Sequence, residues 1–338
     1  MQKKYQQALP GTNKKKYFLF FGIFVLGVGI TIFCGYLLYG VTPFAPKAEY
    51  SLLNPSVSLF DKKDLIVNFE ELRKSLNKKY ERRDDYLVSL YFEYLPTGAN
   101  INVNRDERIW PASLIKIPVA MTAMQKVNEG HWKLSNELVL LDEDKDMEYG
   151  VLYQKPSGTT FSIQTLLEES LINSDNTAHF ILLRNIESSE LEETYRHLGM
   201  DDIIDDLKKK PKDQETDNRM TAKRYTIFFR SLYNSTFLSS NYSQLFLKIL
   251  ERAPKQYLNA GIPGDITFVH KTGVRVDEHV WADSGIVYVP GRPYLLTAMI
   301  QKKHALPHEK IDKKTEEEVY ALFKSISEEI FDYVSKTN

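Results

Sequence analysis

Cysteine is almost missing from this chain: Cys34 is the only one in 338 residues. No disulfide can form within the chain, and no cysteine-based zinc site can be built. The folded part must be held by its core alone. The seven histidines are scattered and show no His-x-Glu or His-Glu-x-x-His spacing. That argues against a metal-dependent hydrolase, and neither metal nor cofactor is expected. An excess of positive charge is missing too. The net charge is −1, so no basic surface points to nucleic acid. There is no internal repeat.

Acid is absent from residues 1–40, which carry Lys3, Lys4, Lys14, Lys15 and Lys16; the remainder therefore carries −6. Charge of either sign is absent from residues 17–39. As a helix this run would be about 34 Å long, enough for a hydrocarbon core of about 30 Å. Lysines ahead of it place the N-terminus in the cytoplasm and the rest outside. A cleaved signal peptide has a shorter apolar core, about 7–15 residues, and no strong small-x-small site follows the run. The expectation is a basic cytoplasmic tail over 1–16 and a single-pass transmembrane anchor over 17–39. A linker with Pro43, Pro46 and Pro55 follows over 40–63, then an extracytoplasmic domain over 64–338.

What is present is an ordinary globular composition, 43% hydrophobic and 26% charged. Leu65, Phe69, Leu72 and Leu76 fall at helical spacing and predict a helix over 64–82. Aromatic and β-branched residues predict a strand over 86–95, with a return strand over 101–109 after the turn at Pro96-Thr97-Gly98. Pro111 suits the first turn of a helix that ends at Gly130. Helices are expected over 162–173, 175–186, 188–198, 221–233 and 243–251, with a polar loop over 207–219. Strands over 266–271, 283–289 and 293–301 precede a terminal amphipathic helix over 315–335. Strand pieces from both ends must meet to bury their apolar faces. The expected fold is α+β: a five-stranded antiparallel sheet flanked by the first and last helices, preceded by the transmembrane helix. Its α/β lobe comprises 64–130 and 260–338, and an all-helical lobe over 131–259 is inserted, with a cleft between them.

Three short strings carry chemistry. In Ser113-Leu114-Ile115-Lys116 a hydroxyl and an amine lie three apart, on one helical face. A hydroxyl becomes a nucleophile when a nearby amine with a depressed pKa takes its proton. Ser75-Leu76-Asn77-Lys78 has the same spacing in a highly charged helix, so the spacing alone decides little. Ser174-Asp175-Asn176 lies at a helix junction, where all three residue types also serve as caps. Lys271-Thr272-Gly273 ends a predicted strand, where glycine lets the backbone bend.

The three strings occur in order, separated by 61 and 97 positions, and this conjunction outweighs each alone. Over residues 65–335 the chain resembles the penicillin-recognising serine hydrolases, most closely the class A β-lactamase-related branch. The resemblance implies that Ser113 is the acylated nucleophile and Lys116 its base. It implies that Ser174 passes a proton to the leaving nitrogen and that Asn176 holds the substrate amide. Lys271 and Thr272 would bind a carboxylate, and Gly273 would let the strand approach. The N–H groups of Ser113 and Val274 would form the oxyanion hole, and Tyr149 would be a rim residue. The implied activity is β-lactam hydrolysis or D-Ala-D-Ala carboxypeptidase chemistry on a small β-lactam or a cell-wall peptide. A non-catalytic binder of wall peptides is the alternative. One departure stands out. The family's Glu-x-x-Leu-Asn string, whose glutamate activates the deacylating water, is absent; Glu215 comes nearest, with Asn218 after it. The resemblance therefore implies acylation with slow release.

Overall fold

A computed structural model describes residues 21–30, 33, 62–66, 68–208, 219–306 and 309–336. The chain divides into two units, Met1–Leu59 and Phe60–Asn338. In the first, residues 21–30 form a helix whose side chains are exposed. Among the described residues no helix is long and apolar enough to cross a membrane. This corrects the expectation of a transmembrane helix over 17–39. With it go the membrane as a partner, the single-pass localisation and the cytoplasmic and extracytoplasmic assignments. The expected tail and most of the linker lie outside the described residues.

The second unit is built on a five-stranded antiparallel sheet, ordered β2-β1-β7-β6-β5. Its strands are β1 (Tyr86–Tyr94), β2 (Ala99–Val103), β5 (Phe268–Arg275), β6 (Val280–Val287) and β7 (Tyr294–Lys302). The first strand pairs with the last, Tyr86 opposite Lys302 and Tyr94 opposite Tyr294, so the two ends of the chain close one sheet. Successive side chains point to opposite faces. Val88, Leu90, Phe92 and Tyr94 pack on the outer face, while Tyr91 packs on the inner one.

The outer face is covered by α1 (Glu70–Tyr80) and by the last helix, α9 (Lys313–Lys336). Val319, Phe323, Ile326, Ile330 and Val334 recur at intervals of three and four, giving α9 one apolar stripe for the sheet. The inner face meets α7 (Ala222–Tyr233), and α2 (Lys116–Asn128) shares the core behind it. A single core runs from this face into α3 (Ile163–Leu171), α4 (Asn176–Arg184), α5 (Ser188–His197), α6 (Asp201–Lys208) and α8 (Ser240–Leu250).

Several local details differ from the sequence reading. The return strand stops at Val103, and Ile109 makes only an isolated bridge to Met220. Residues 201–208 are helical, overlapping the start of the polar loop expected over 207–219; 209–218, including Asp213, Glu215 and Asp217, lie outside the described residues. A small ribbon pairs β3 (Glu137–Val139) with β4 (Thr160–Ser162). Three-residue strands are too short to show a period. The string at 271–273 is mid-strand, because β5 continues to Arg275 and turns back only before Val280.

Candidate active site

Ser113 lies in a tight 3₁₀ turn, Ala112–Ile115, that leads into α2 rather than inside a regular α-helix. Ala112 before it has φ +49°, left-handed backbone that a residue with a Cβ adopts only under constraint. The constraint comes from β5. A Cβ on Gly273 would stand 2.8 Å from the Ser113 backbone nitrogen, so only glycine lets the strand lie this close.

Lys116 opens α2 and is buried. Its Nζ donates to the Ser174 carbonyl at 2.5 Å, to Asn176 Oδ1 at 2.6 Å, to Ser174 Oγ at 3.2 Å and to Ser113 Oγ at 3.4 Å. An ammonium has only three hydrogens, so the longest of these contacts, that to Ser113, is the weakest. Burial pushes the Lys116 amine down to about 8, opposed by the Asp175 and Asp146 carboxylates.

Ser174 has φ +57° between α3 and α4. The strain turns its carbonyl and hydroxyl to the same lysine, and Lys271 Nζ donates to the same hydroxyl at 3.0 Å. Lys271 is also buried, and donates to the Thr272 carbonyl at 2.8 Å. Burial and the charge of Lys116 push it down to about 7, with Asp283 opposing. Thr272 follows, half-buried. Thus Ser113, Lys116, Ser174, Asn176 and Lys271, drawn from three remote segments, form one hydrogen-bonded cluster.

Asp175 takes a different place. Its Oδ1 caps α4 through the Ala178 N–H at 2.8 Å, and its Oδ2 accepts from Val151 N and Leu152 N at 2.6 and 2.9 Å. It ties the loop before β4 to the helix and does not face the nucleophile. Tyr149 anchors the same junction, its carbonyl accepting from Asn176 N at 3.0 Å. A cavity of about 1040 Å³ opens over the cluster, lined by Ser113, Lys116, Tyr149, Asn176, Val274 and His179 among others.

Two residues here carried no signal in the sequence strings. Asp146 accepts from Asn176 Nδ2 at 2.9 Å. His179 is three residues beyond Asn176, so helical spacing alone would have brought it to the site. Burial and the two lysines push its imidazole down to about 3, so it stays neutral, and its Nδ1 is buried without a hydrogen-bond partner. At the cavity mouth the Arg275 guanidinium stacks 4.3 Å above the Trp110 ring.

Residues 70–334 match the beta-lactamase enzyme family. A curated beta-lactamase of Bacillus licheniformis is 26% identical over 242 residues, spanning 66% of this chain and 77% of the relative. Among solved structures, PBP-A superposes with a TM-score of 0.67 at 22% identity, covering 79% of this chain and 97% of its own. A second PBP-A structure, of a mutant in an acyl-enzyme complex with penicillin G, superposes with a TM-score of 0.66. A beta-lactamase from Sphaerobacter thermophilus gives 0.61 at 21% identity, covering 72% and 90%. The family match spans most of the chain and the solved structures share its fold, so the chain belongs to the beta-lactamase enzyme family and is a serine-hydrolase-like enzyme.

Proposed function

We propose that this chain forms an acyl-enzyme on Ser113 with amides that stand beside a carboxylate, namely β-lactams or D-Ala-D-Ala-like peptides. The observation that carries the reading is that Lys116 and Lys271 both donate to the Ser174 hydroxyl while Lys116 also reaches the Ser113 hydroxyl. The penicillin complex of PBP-A supports it by analogy of fold.

In the free protein the two buried lysines share a site that holds one proton more easily than two. A substrate carboxylate arriving at Lys271 and Thr272 adds a negative charge there. The proton then settles on Lys271, and Lys116 is left neutral and able to act as base. Ser113 Oγ attacks the carbonyl carbon and gives its proton to Lys116. The oxygen gains negative charge against the N–H groups of Ser113 and Val274; one such donor is typically worth about 2.7–4 kcal/mol. The C–N bond breaks as the nitrogen takes a proton through Ser174, while Asn176 holds the substrate amide and Tyr149 walls the cavity.

Release requires water to attack the ester and a base to take its proton. No Glu-x-x-Leu-Asn string supplies that base, and His179 would have to become a cation beside two lysines. The acyl-enzyme is therefore long-lived, and the chain is a slow-turnover relative rather than a fast β-lactamase.

The test is the full chain incubated with labelled penicillin and followed by mass spectrometry. A covalent adduct on Ser113, absent from Ser113→Ala and persisting long after free penicillin is removed, is the expected result. No adduct would leave the wall-peptide binder as the better reading, and rapid loss of the adduct would overturn slow release.

A further inference from the structure

Asn176 is held at both ends by charged groups. Its Oδ1 accepts from Lys116 Nζ at 2.6 Å, and its Nδ2 donates to Asp146 Oδ1 at 2.9 Å. An amide's two ends are nearly equal in shape and are told apart only by their partners. Here an ammonium demands the oxygen and a carboxylate demands the NH₂. Turning the amide over would set donor against donor and acceptor against acceptor.

Asp146 is itself fixed on both sides. Its carboxylate also accepts from Glu148 N at 2.9 Å, and its backbone N–H donates to Thr177 Oγ1 at 3.0 Å. It is half-buried, and it is absent from all three sequence strings. The nearby Asp175 already spends both oxygens on backbone N–H groups. Resting on the acyl-enzyme reading above, we propose that Asp146 is a positioning residue. Its carboxylate locks the Asn176 amide with oxygen toward Lys116 and sets the charge of the base that serves Ser113.

The lock matters most when the base is ready. A neutral Lys116 no longer demands an acceptor, so only Asp146 still distinguishes the two ends of the amide. With the orientation kept, one N–H of Asn176 stays on Asp146 and the other remains for the carbonyl of a substrate's acyl-amide side chain. The same carboxylate favours the proton on Lys116 in the free protein. The groups facing Lys116 are Ser113 from its own turn, Ser174, Asp175 and Asn176 from the helix junction, His179 from α4, Lys271 from β5, and Asp146 from the loop before Tyr149. Of these, Lys271 opposes the proton, Asp175 and Asp146 favour it, and His179 is neutral.

Two measurements on the full chain decide this. The first titrates Lys116 through its ¹³C-labelled ε-carbon, assigned by its loss in Lys116→Arg. In Asp146→Asn the midpoint should fall by about one pH unit, as expected on losing a nearby opposite charge, while Asp146→Glu should stay close to the parent. Asp146→Ser provides a second neutral variant should the amide fail to fold. The second compares acylation by benzylpenicillin and by 6-aminopenicillanic acid, which lacks the acyl amide. Asp146→Asn should cut the preference for benzylpenicillin about tenfold, the loss of one substrate hydrogen bond, and move the pH profile of acylation down with the Lys116 midpoint. An unchanged midpoint and an unchanged preference, with only a lower melting temperature, would reduce Asp146 to a structural residue and overturn the proposal. If the parent protein takes no penicillin at all, the acyl-enzyme reading fails, and the lysine titration still judges Asp146 alone.

Discussion

The two faces of the five-stranded sheet bury different chemistry. Outside, Phe69, Phe92, Tyr94 and Tyr294 share one core with the apolar stripe of α9, Phe323 included. Rings meet at ordinary tilted and edge contacts, as between Phe69 and Phe92 at 5.2 Å and between Phe92 and Tyr294 at 5.4 Å. Inside, the same strands carry hydroxyls and a lysine. Ser284 Oγ lies 2.6 Å from Thr297 Oγ1, which meets Thr226 Oγ1 of α7 at 2.8 Å. Lys271 stands beside them on β5. Buried polar groups are tolerated only when bonded, and buried like charges only when they give up protons. The outer face holds the fold together; the inner face sacrifices some of that stability to hold two depressed lysines at one serine.

The contrast can be broken from either side. Lys271→Met should lower acylation by about 10²–10⁴-fold, the usual worth of a positioned charged group, read from the rate of penicillin labelling. Yet it should not destabilise the fold. The pKa of Lys271 is lowered by folding, so the unfolded chain binds this proton more firmly. Its charge therefore costs stability, most fully below about pH 7, and the cost shrinks as pH rises toward the unfolded value. The variant should melt higher than the parent, with a larger gain at pH 6 than at pH 9. A lower melting temperature at both would show that Lys271 holds the fold together.

Phe323→Ala should do the reverse. A fully buried ring on the outer face typically costs about 3–5 kcal/mol to remove, visible as a lower denaturation midpoint. Labelling of the protein that remains folded should keep its parent rate. A slowed rate per folded molecule would mean that the outer core positions the site.

The smallest effect is a curve rather than a loss. With Lys116 near 8 and Lys271 near 7 in the free protein, acylation needs the pair to hold a single proton. The rate should rise with pH as the pair loses its first proton and fall as it loses its second, a narrow bell between about 7 and 8. A rate that climbs steadily to pH 10 would separate the two lysines and remove the shared-proton argument.

Much of the fold was readable along the chain because its signals are short in range. Leu72 and Leu76 at helical spacing, the aromatic and β-branched run from Tyr86 to Tyr94, and the Pro96-Thr97-Gly98 turn each act within a few residues, and the pairing of first and last strands followed from the need to cover both. The charge-free run over 17–39 misled, because composition says only what a helix could cross, and among the described residues no helix is long and apolar enough to do so. The ribbon of β3 and β4 left no trace, since three residues cannot show a period. Residues 209–218, where a deacylating acid would be sought, lie outside the described residues.

At the site, residue identity and order lay in the sequence: a hydroxyl and an amine three apart, and two further strings far downstream. Only the folded chain could bring them into one hydrogen-bonded cluster. The left-handed backbone at Ala112 and Ser174 is imposed by strands and helices packed from elsewhere. The depressed lysines follow from burial that no local pattern announces. Asp146 meets Asn176 from thirty residues upstream, with no periodicity to link them. Local propensity and pattern are written into neighbouring residues, whereas burial, strain and contact between distant segments exist only once the sheet has closed and the helices have packed upon it.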